Sequence, residues 1–235
     1  MTRASKRKSD NPTAGPMKIG RRDGVRSASS KATTKMQERI DELYFKYCNK
    51  SLGTIDPDGI EVLCSDLKVE HTDVRILMLA WKMDARRQGY FTQDEWQKGL
   101  KALRVDTIDK LRKALPVLER EVLCPENFEG FYKYAFQYCL TEEKQKCLDI
   151  ESTCLLLNLV LGCMYQHQVD SFTEFLKSQK DYKVINMDQW TNFLRFCQEI
   201  SFPDLRDYDT SEAWPLLLDN FVDWMKENEA TVTPA

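Results

Sequence analysis

From Met36 onward, the apolar residues of this chain recur with the spacing of a helix. Met36, Ile40, Leu43, Tyr44 and Tyr47 fall on one helical face, which must be buried against other segments. Comparable segments predict helices near 58–67, 73–83, 93–103, 106–120, 127–141, 149–162, 167–179, 188–200 and 210–226. The body, residues 36–228, is therefore predicted to be all-α and compact, and residues 229–235 are predicted to be disordered.

Several residues mark expected helix boundaries. Thr92-Gln93-Asp94-Glu95 has the form of a capping box and predicts a helix start. Gly162 follows an apolar run and predicts a helix end. Pro116 is expected to kink or divide the helix that contains it.

The first 35 residues differ in composition from the body. They contain ten Lys or Arg and two Asp, a net charge of about +8, which leaves about −11 for residues 36–235. Few large apolar residues are present, so we expect a disordered basic tail at 1–35. Its clusters Lys6-Arg7-Lys8 and Arg21-Arg22 are open to three interpretations: a solvated tail, a nuclear-import signal or a nucleic-acid tether. The acidic body suits a basic protein partner and not a nucleic acid.

Composition argues against several other classes of protein. No apolar run approaches about 18 residues, so no membrane span is expected, and the basic start is not followed by the apolar core of a secretory signal. The eight Cys show no Cys-x-x-Cys spacing and the His are only His71 and His167, so structural zinc is not expected. Most Cys adjoin apolar residues, as buried reduced thiols do. A Cys–His catalytic pair stays open as an alternative.

Two segments have the outline of a calcium-binding loop. Starting at Asp84, a twelve-residue frame has Gly89 at position 6, Phe91 at 8 and Glu95 at 12, as in an EF-hand. Positions 3 and 5 are Arg86 and Gln88, which are poor calcium ligands. A second frame starts at Thr54, with Gly59 at position 6 and Ser65 at 12. We therefore expect EF-hand-like geometry without metal in both, with a calcium sensor as the alternative.

Catalytic motifs are missing from the sequence. It contains no Gly-rich phosphate loop, no Gly-x-Ser-x-Gly elbow and no His-Glu-x-x-His. Paired carboxylates such as Glu142-Glu143 lie in polar surroundings and predict a solvated face. We predict that the chain is not an enzyme and needs no cofactor.

A set of separated motifs resembles one known family. Near the C-terminus, Tyr208-Asp209 is followed by Glu212-Ala213-Trp214-Pro215-Leu216-Leu217-Leu218-Asp219-Asn220-Phe221-Val222, and Asp188-Gln189-Trp190 precedes both. Ile76-Leu77-Met78-Leu79-Ala80-Trp81-Lys82 and Gln88-Gly89-Tyr90-Phe91 come earlier. Together these motifs resemble the defective-in-cullin-neddylation (DCN1-like) family over about residues 36–226.

The resemblance implies a fold and a function. The fold would be a potentiating-neddylation domain of two EF-hand-like lobes without metal. The chain would be a non-catalytic scaffold co-ligase that binds the winged-helix domain at the cullin C-terminus and the N-acetylated neddylation conjugating enzyme. With the cullin's RING subunit, it would orient the thioester toward the acceptor lysine. A helical adaptor of other function is the alternative.

The resemblance also implies an acidic cullin-binding patch, whose matching residues are Asp188, Ala213 and Asp219. Two carboxylates around a small residue let a basic partner approach closely and pair with both. This chain departs from the family at Glu212, where Gly is usual, and at Asn220, where a second acid is usual. Glu212 would either add acidity or crowd the patch.

The implied conjugating-enzyme pocket is apolar with a polar handle. The matching residues are Pro57, Ile60, Ile76, Leu79, Gln88, Phe91, Tyr138 and Leu159. An acetylated Met suits such a pocket, because acetylation removes the terminal charge and an unpaired ammonium is costly to bury. Pro57 replaces a more usual aliphatic residue and Tyr138 a more usual Phe.

The remaining expectations concern the whole chain. Some family members carry an N-terminal ubiquitin-binding domain, and the polar first 35 residues predict none here. The basic tail favours the nucleus, in addition to the cytoplasm. A monomer is expected.

Overall fold

The computed structural model describes the backbone of residues 23–232 and the side chains of residues 33–228. The helices are α1 Asp23–Tyr47, α2 Pro57–Leu67, α3 Val74–Met83, α4 Gln93–Ala102, α5 Ile108–Val122, α6 Pro125–Tyr138, α7 Ile150–Ser178, α8 Met187–Glu199 and α9 Leu216–Val232. The strands are β1 Cys48–Asn49, β2 Thr54–Ile55, β3 Cys147–Asp149 and β4 Val184–Asn186. The all-α prediction is confirmed, and the strands add two short antiparallel pairings.

The two ends of the chain are helical further out than the apolar pattern indicated. α1 begins at Asp23, within the segment predicted to be disordered, and α9 continues to Val232. Residues 25–35 contain neither Gly nor Pro, and extending a helix that has already formed is far easier than nucleating one. Residues 1–22 and 233–235 lie outside the described part of the chain, so disorder there stays a prediction.

The first lobe comprises α1 to α4 and has two helix–loop–helix units joined at their loops. β1 and β2 form a hairpin within the first loop. Ile55 then bridges to Phe91 in the second loop: the N–H of each donates to the carbonyl of the other at 2.9 Å. Both side chains are buried.

The second lobe repeats this arrangement with α6, α7 and α8. β3 pairs with β4, with Leu148 opposite Ile185. α7 serves two units because it is interrupted at Tyr165, where φ is −134° and ψ is 44°. Two helices were predicted here, with the first ending at Gly162. Gly162 instead lies buried inside the helix, and the break comes three residues later.

The four loops share a rule that couples pairing to helix initiation. In each loop the residue that follows the buried bridging residue is the N-cap of the next helix, and its side chain accepts a backbone N–H of the first turn. These caps are Asp56, Thr92, Asp149 and Asn186. Thr92 and Asn186 form complete capping boxes with Glu95 and Gln189, which confirms the boundary predicted at Thr92.

The bridge between Ile55 and Phe91 corrects the frame of the first loop. Phe91 is position 8 of its loop, so its partner Ile55 is also position 8, and position 6 is Gly53. Gly53 has φ +67°, matching φ +77° at Gly89. The frame that starts at Thr54 is therefore wrong. Gly59 lies in the first turn of α2, where a Cβ would stand 2.2 Å from the Tyr47 carbonyl oxygen.

Two further elements join and cover the lobes. α5 connects them and continues on both sides of Pro116, so Pro116 does not divide the helix, whose Leu111, Leu115 and Leu118 are buried. α9 packs on α7 and α8 through Phe221, which lies 5.1 Å from Phe172 and 5.6 Å from Phe196, centroid to centroid. Within residues 23–232, no helix has the length and apolarity that crossing a membrane requires.

Candidate protein-binding surfaces

Asp219 lies in the first turn of α9 and is held by a tyrosine. The hydroxyl of Tyr208 donates to its Oδ1 at 2.7 Å. Burial and this hydrogen bond raise the pKa of Tyr208, so the hydroxyl stays protonated and remains a donor. The positive end of the α9 dipole also favours a carboxylate at this position. Asp219 is thus a half-buried carboxylate whose orientation is set by Tyr208.

The next residue, Asn220, is also engaged. Its Nδ2 donates to the hydroxyl of Tyr182 at 2.8 Å. Asn220 therefore carries no charge and fastens α9 to the segment before β4. The acidity of the surface depends on Asp219 and not on its neighbour in the sequence.

Ala213 is connected to Asp219 through aromatic packing. It is exposed in the loop before α9, beside the buried Trp214. Trp214 stacks on Tyr208 with ring centroids 5.3 Å apart, and Tyr208 in turn holds Asp219. Ala213 and Asp219 are thus linked through Trp214 and Tyr208, and their membership of one patch stays a prediction.

Asp188 lies on the neighbouring helix, exposed in the first turn of α8. Its Oδ1 accepts from Asn192 Nδ2 at 3.1 Å. α8 and α9 are in contact through Phe196 and Phe221. The hydrogen-bond donor to Asp188 thus comes from its own helix, whereas the donor to Asp219 is Tyr208. The membership of Asp188 in the patch stays a prediction.

Glu212 is paired with a cation that the sequence analysis did not single out. Arg195 Nη2 donates to Glu212 Oε2 at 2.5 Å. Hydrogen bonding to Glu212 is the main reason that the pKa of Arg195 is raised. Glu212 is therefore a paired acid and not a free one beside Ala213, and Arg195 shares its one positive charge between Glu212 and Glu199.

A cavity of about 210 Å³ lies between α2, α3, α6 and α7. Six of the eight predicted pocket residues line it: Ile60, Ile76, Gln88, Phe91, Tyr138 and Leu159. The sequence analysis missed further lining residues, namely His71, Thr72, Asp73, Leu77, Ala80, Gly89, Cys139 and Leu156. The walls are thus mainly apolar and the rim carries polar groups.

The two other predicted pocket residues lie outside the cavity wall. Leu79 is fully buried in the core, and Leu77 shares the cavity face of α3 with Ile76 and Ala80. Pro57 is exposed beside Gly89, whose Cβ position would be 3.5 Å from Pro57 Cγ. Pro57 therefore supports the loop next to the cavity without lining it.

Tyr138 serves both as a wall of the cavity and as an anchor for the neighbouring loop. Its hydroxyl accepts from Gly89 N at 3.3 Å, and burial raises its pKa to about 12. Tyr134, stacked on it at 5.3 Å, donates to Ala85 O at 2.9 Å. The two tyrosines of α6 thus hold the 84–95 loop at two points, and Tyr138 also lines the cavity.

The rim of the cavity carries an ion pair. Asp73 caps α3 by accepting from Arg75 N at 2.9 Å, and its carboxylate also pairs with the Arg75 guanidinium. Hydrogen bonding from Arg75 lowers the pKa of Asp73 despite its partial burial. Asp73 is therefore ionised at neutral pH, and Arg75 balances its charge.

In the 84–95 loop, groups of the protein occupy the oxygens that calcium would need. Glu95, at position 12, accepts from Arg86 N at 3.0 Å and from Thr92 N at 2.8 Å. Asp84, at position 1, pairs with Lys98 Nζ at 2.6 Å. Among the described side chains, no group of three His, Cys, Asp or Glu could hold a metal ion.

Comparison with known proteins identifies the family. A family profile described as cullin binding matches residues 110–224. DCN1-like protein 4 of Homo sapiens is 41% identical over 192 residues, which are 82% of this chain and 64% of that protein. DCN1-like protein 4 of Danio rerio is 39% identical over 233 residues, 95% of this chain and 81% of the relative. The chain belongs to the DCN1-like family.

The chain spans slightly less than two thirds of the human DCN1-like protein 4. DCN1-like protein 5 of Bos taurus is 37% identical over 177 residues, 75% of this chain and 73% of that protein. In this DCN1-like chain, the region that matches the cullin-binding profile contains all three predicted patch residues, together with Arg195 and Tyr208. The profile match begins at residue 110 and so does not include α2 and α3, which supply much of the cavity wall.

Proposed function

We propose that this protein is a non-catalytic scaffold for the neddylation of cullins. The observation that carries the proposal is the match of residues 110–224 to a family described as cullin binding. That region contains Asp219, whose carboxylate accepts from Tyr208, and the exposed Ala213 in the loop before α9. A basic segment of the cullin winged-helix domain would approach closely at Ala213 and pair with Asp219, with Asp188 contributing from α8.

The cavity between α2, α3, α6 and α7 is the second part of the proposal. At about 210 Å³ it lies below the usual range of about 300–1,000 Å³ for small-molecule sites. Its size suits one inserted side chain, and its apolar walls suit Met. The Tyr138 hydroxyl and Gln88 would bind the acetyl or amide group at the mouth, whereas an unacetylated ammonium would meet apolar walls at a cost.

A scaffold of this kind accelerates transfer by orientation. Holding the charged conjugating enzyme and the cullin on one rigid body makes their encounter effectively intramolecular. The cullin's RING subunit would supply the remaining contacts. No group of this chain needs to exchange a proton or form a covalent bond for that effect.

Calorimetry on the full chain tests the proposal. The chain would be titrated with a cullin winged-helix domain and, separately, with an N-acetylated peptide from the conjugating enzyme's N-terminus. We expect both to bind at independent sites, and the unacetylated peptide to bind at least tenfold more weakly. A folded protein that binds neither would refute the proposed function.

A further inference from the structure

Arg195, on α8, reaches across to the loop formed by residues 209–215. Its Nη2 donates to Glu212 Oε2 at 2.5 Å, and its Cζ lies 4.1 Å from the centre of the Trp214 ring. Its Nε donates to Glu199 Oε2 at 2.8 Å on its own helix. We refer to Arg195, Glu212 and Trp214 as the clamp.

The clamp holds the residues on both sides of Ala213. Glu212 and Trp214 precede and follow Ala213 in the chain, and one guanidinium contacts both. Arginine can do this because its planar fork pairs with a carboxylate and also stacks on an aromatic face. The Trp214 indole N–H has no hydrogen-bond acceptor among the described residues, so packing alone holds this ring.

We propose that Arg195 is a positioning residue for the partner-binding surface and determines which carboxylate pairs with a basic partner. This inference rests on the proposed function. By fixing Glu212 and Trp214, Arg195 fixes Ala213 relative to α8. By compensating Glu212, it leaves Asp219 as the carboxylate offered next to Ala213. A partner then needs a cation over Asp219 and gains little from a second one over Glu212.

The rival interpretation makes the opposite prediction for one variant. If Glu212 itself attracted the basic partner, Arg195 would compete with that partner. Removing the Arg195 charge would then free Glu212 and tighten binding. If Arg195 positions the loop, its removal loosens Ala213 and weakens binding. The sign of the change therefore separates the two interpretations.

The test is calorimetry of the full chain with the cullin winged-helix domain, using Arg195→Gln, Glu212→Gln and the double variant. We expect each single substitution to weaken binding about three- to tenfold, as exposed ion pairs and cation–π contacts do. The double variant should bind no more weakly than the weaker-binding single variant, because each substitution removes the same Arg195–Glu212 ion pair. Arg195→Lys keeps the charge but loses the fork and should lie between.

Lys133→Gln is the matched control. Lys133 lines the same groove between α6 and α8 as Arg195, but it pairs with Glu129 on its own helix. This variant should bind like the unaltered protein. Hydrogen exchange gives a second readout: amides of residues 209–214 should exchange faster in Arg195→Gln and at the unaltered rate in Lys133→Gln.

The possible outcomes separate the inference from the proposed function. Tighter binding by Arg195→Gln, or unchanged affinity and unchanged exchange, would overturn the role of Arg195 and leave the proposed function intact. Failure of the unaltered, folded protein to bind would overturn the proposed function and this role with it. Weaker binding with faster exchange, confined to the clamp variants, supports the inference.

Discussion

Asp219 owes its orientation to the phenol of Tyr208, which donates to it at 2.7 Å. A carboxylate held in this way loses little side-chain entropy when a partner pairs with it, since its rotamer is already set. The neighbouring acids have other contacts and are therefore not equivalent to Asp219. Glu212 is compensated by Arg195, and Asp188 is engaged by its own helix.

The first prediction concerns Asp219→Lys. We expect this substitution to weaken binding of the cullin winged-helix domain more than about thirtyfold, because losing one member of a close charge pair costs about 2–5 kcal/mol. The control is Glu227→Lys, an exposed acid on the same helix with the same change in charge. Calorimetry measures the affinity, and unchanged circular dichroism shows that the fold is kept. Normal affinity in Asp219→Lys would exclude Asp219 from the surface.

A second residue-scale prediction distinguishes Leu77 from its neighbours on α3. Leu77 lines the cavity and is half-buried, so Leu77→Gln should weaken binding of the acetylated peptide about tenfold, as expected when a buried apolar contact of about 1.5–3 kcal/mol is lost. Leu155→Gln, at a 68% exposed site on α7, should bind the peptide normally. Equal affinities in calorimetry would place the peptide elsewhere.

Among the elements, the helices followed from the apolar period, but the register of the first loop did not. Gly53 and Gly59 look alike in a sequence rich in turn residues. One supplies a positive φ and the other a close approach to the Tyr47 carbonyl. Only the bridge between Ile55 and Phe91, formed by distant segments, distinguishes them.

The candidate site, like the fold, could be predicted only in part from the sequence. Helix α3 is apolar on several faces, so its sequence cannot show whether Leu77 or Leu79 faces the cavity. Arg195 and Glu212 are 17 residues apart on different elements, and nothing local pairs them. In contrast, Ala213 and Asp219 are close in sequence, and Trp214 and Tyr208 link them in the structure.

The close approach at Gly59 gives a third prediction. In Gly59→Ala, the new Cβ would be 2.2 Å from backbone, so α2 must shift. We expect a loss of about 1–3 kcal/mol in the free energy of unfolding, as for other overpacked sites. Gly130→Ala is the counterpart, because its Cβ meets nothing within 4 Å in α6 and should be neutral or stabilising. Urea denaturation of both variants measures the difference, and equal stabilities would refute the close approach.

The fourth prediction concerns pH and the contact between α1 and α4. Asp41 accepts from Gln37 on α1 and from Gln93 and Gln97 on α4. Burial raises the pKa of Asp41, but these three hydrogen bonds outweigh it and lower the pKa overall. A lowered folded-state pKa means that the carboxylate stabilises the fold above its unfolded pKa of about 3.9, and that this contribution is lost as pH falls through the folded value.

Asp41→Asn tests this sign. The variant should be less stable than the unaltered protein at pH 7, and the gap should narrow as pH falls below about 4. Glu42→Gln, at an exposed neighbouring position, should show no such narrowing. Thermal unfolding from pH 7 to pH 3 gives the comparison. A gap that stays constant with pH would show that the Asp41 charge is not what matters.

At the scale of the whole molecule, charge divides the chain into a basic start and an acidic body. The fifth prediction is that replacing Lys6, Arg7 and Lys8 by Gln leaves both binding affinities unchanged, since the proposed surfaces lie on α2 to α9. Nuclear localisation should decrease, because the substitution removes a basic cluster of the kind that import receptors bind. Fluorescence microscopy and calorimetry measure the two effects. Weaker cullin binding would assign the cluster a direct role.

The 84–95 loop has a consequence for how such a scaffold is controlled. An EF-hand that senses calcium changes shape as the ion arrives and departs. Here Lys98 and main-chain amides contact the carboxylate oxygens of Asp84 and Glu95. These groups are part of the chain itself and do not dissociate from it as an ion does. We therefore expect the shape of this lobe not to change with calcium concentration. For the proposed scaffold function, we then expect timing to depend on the supply of its partners.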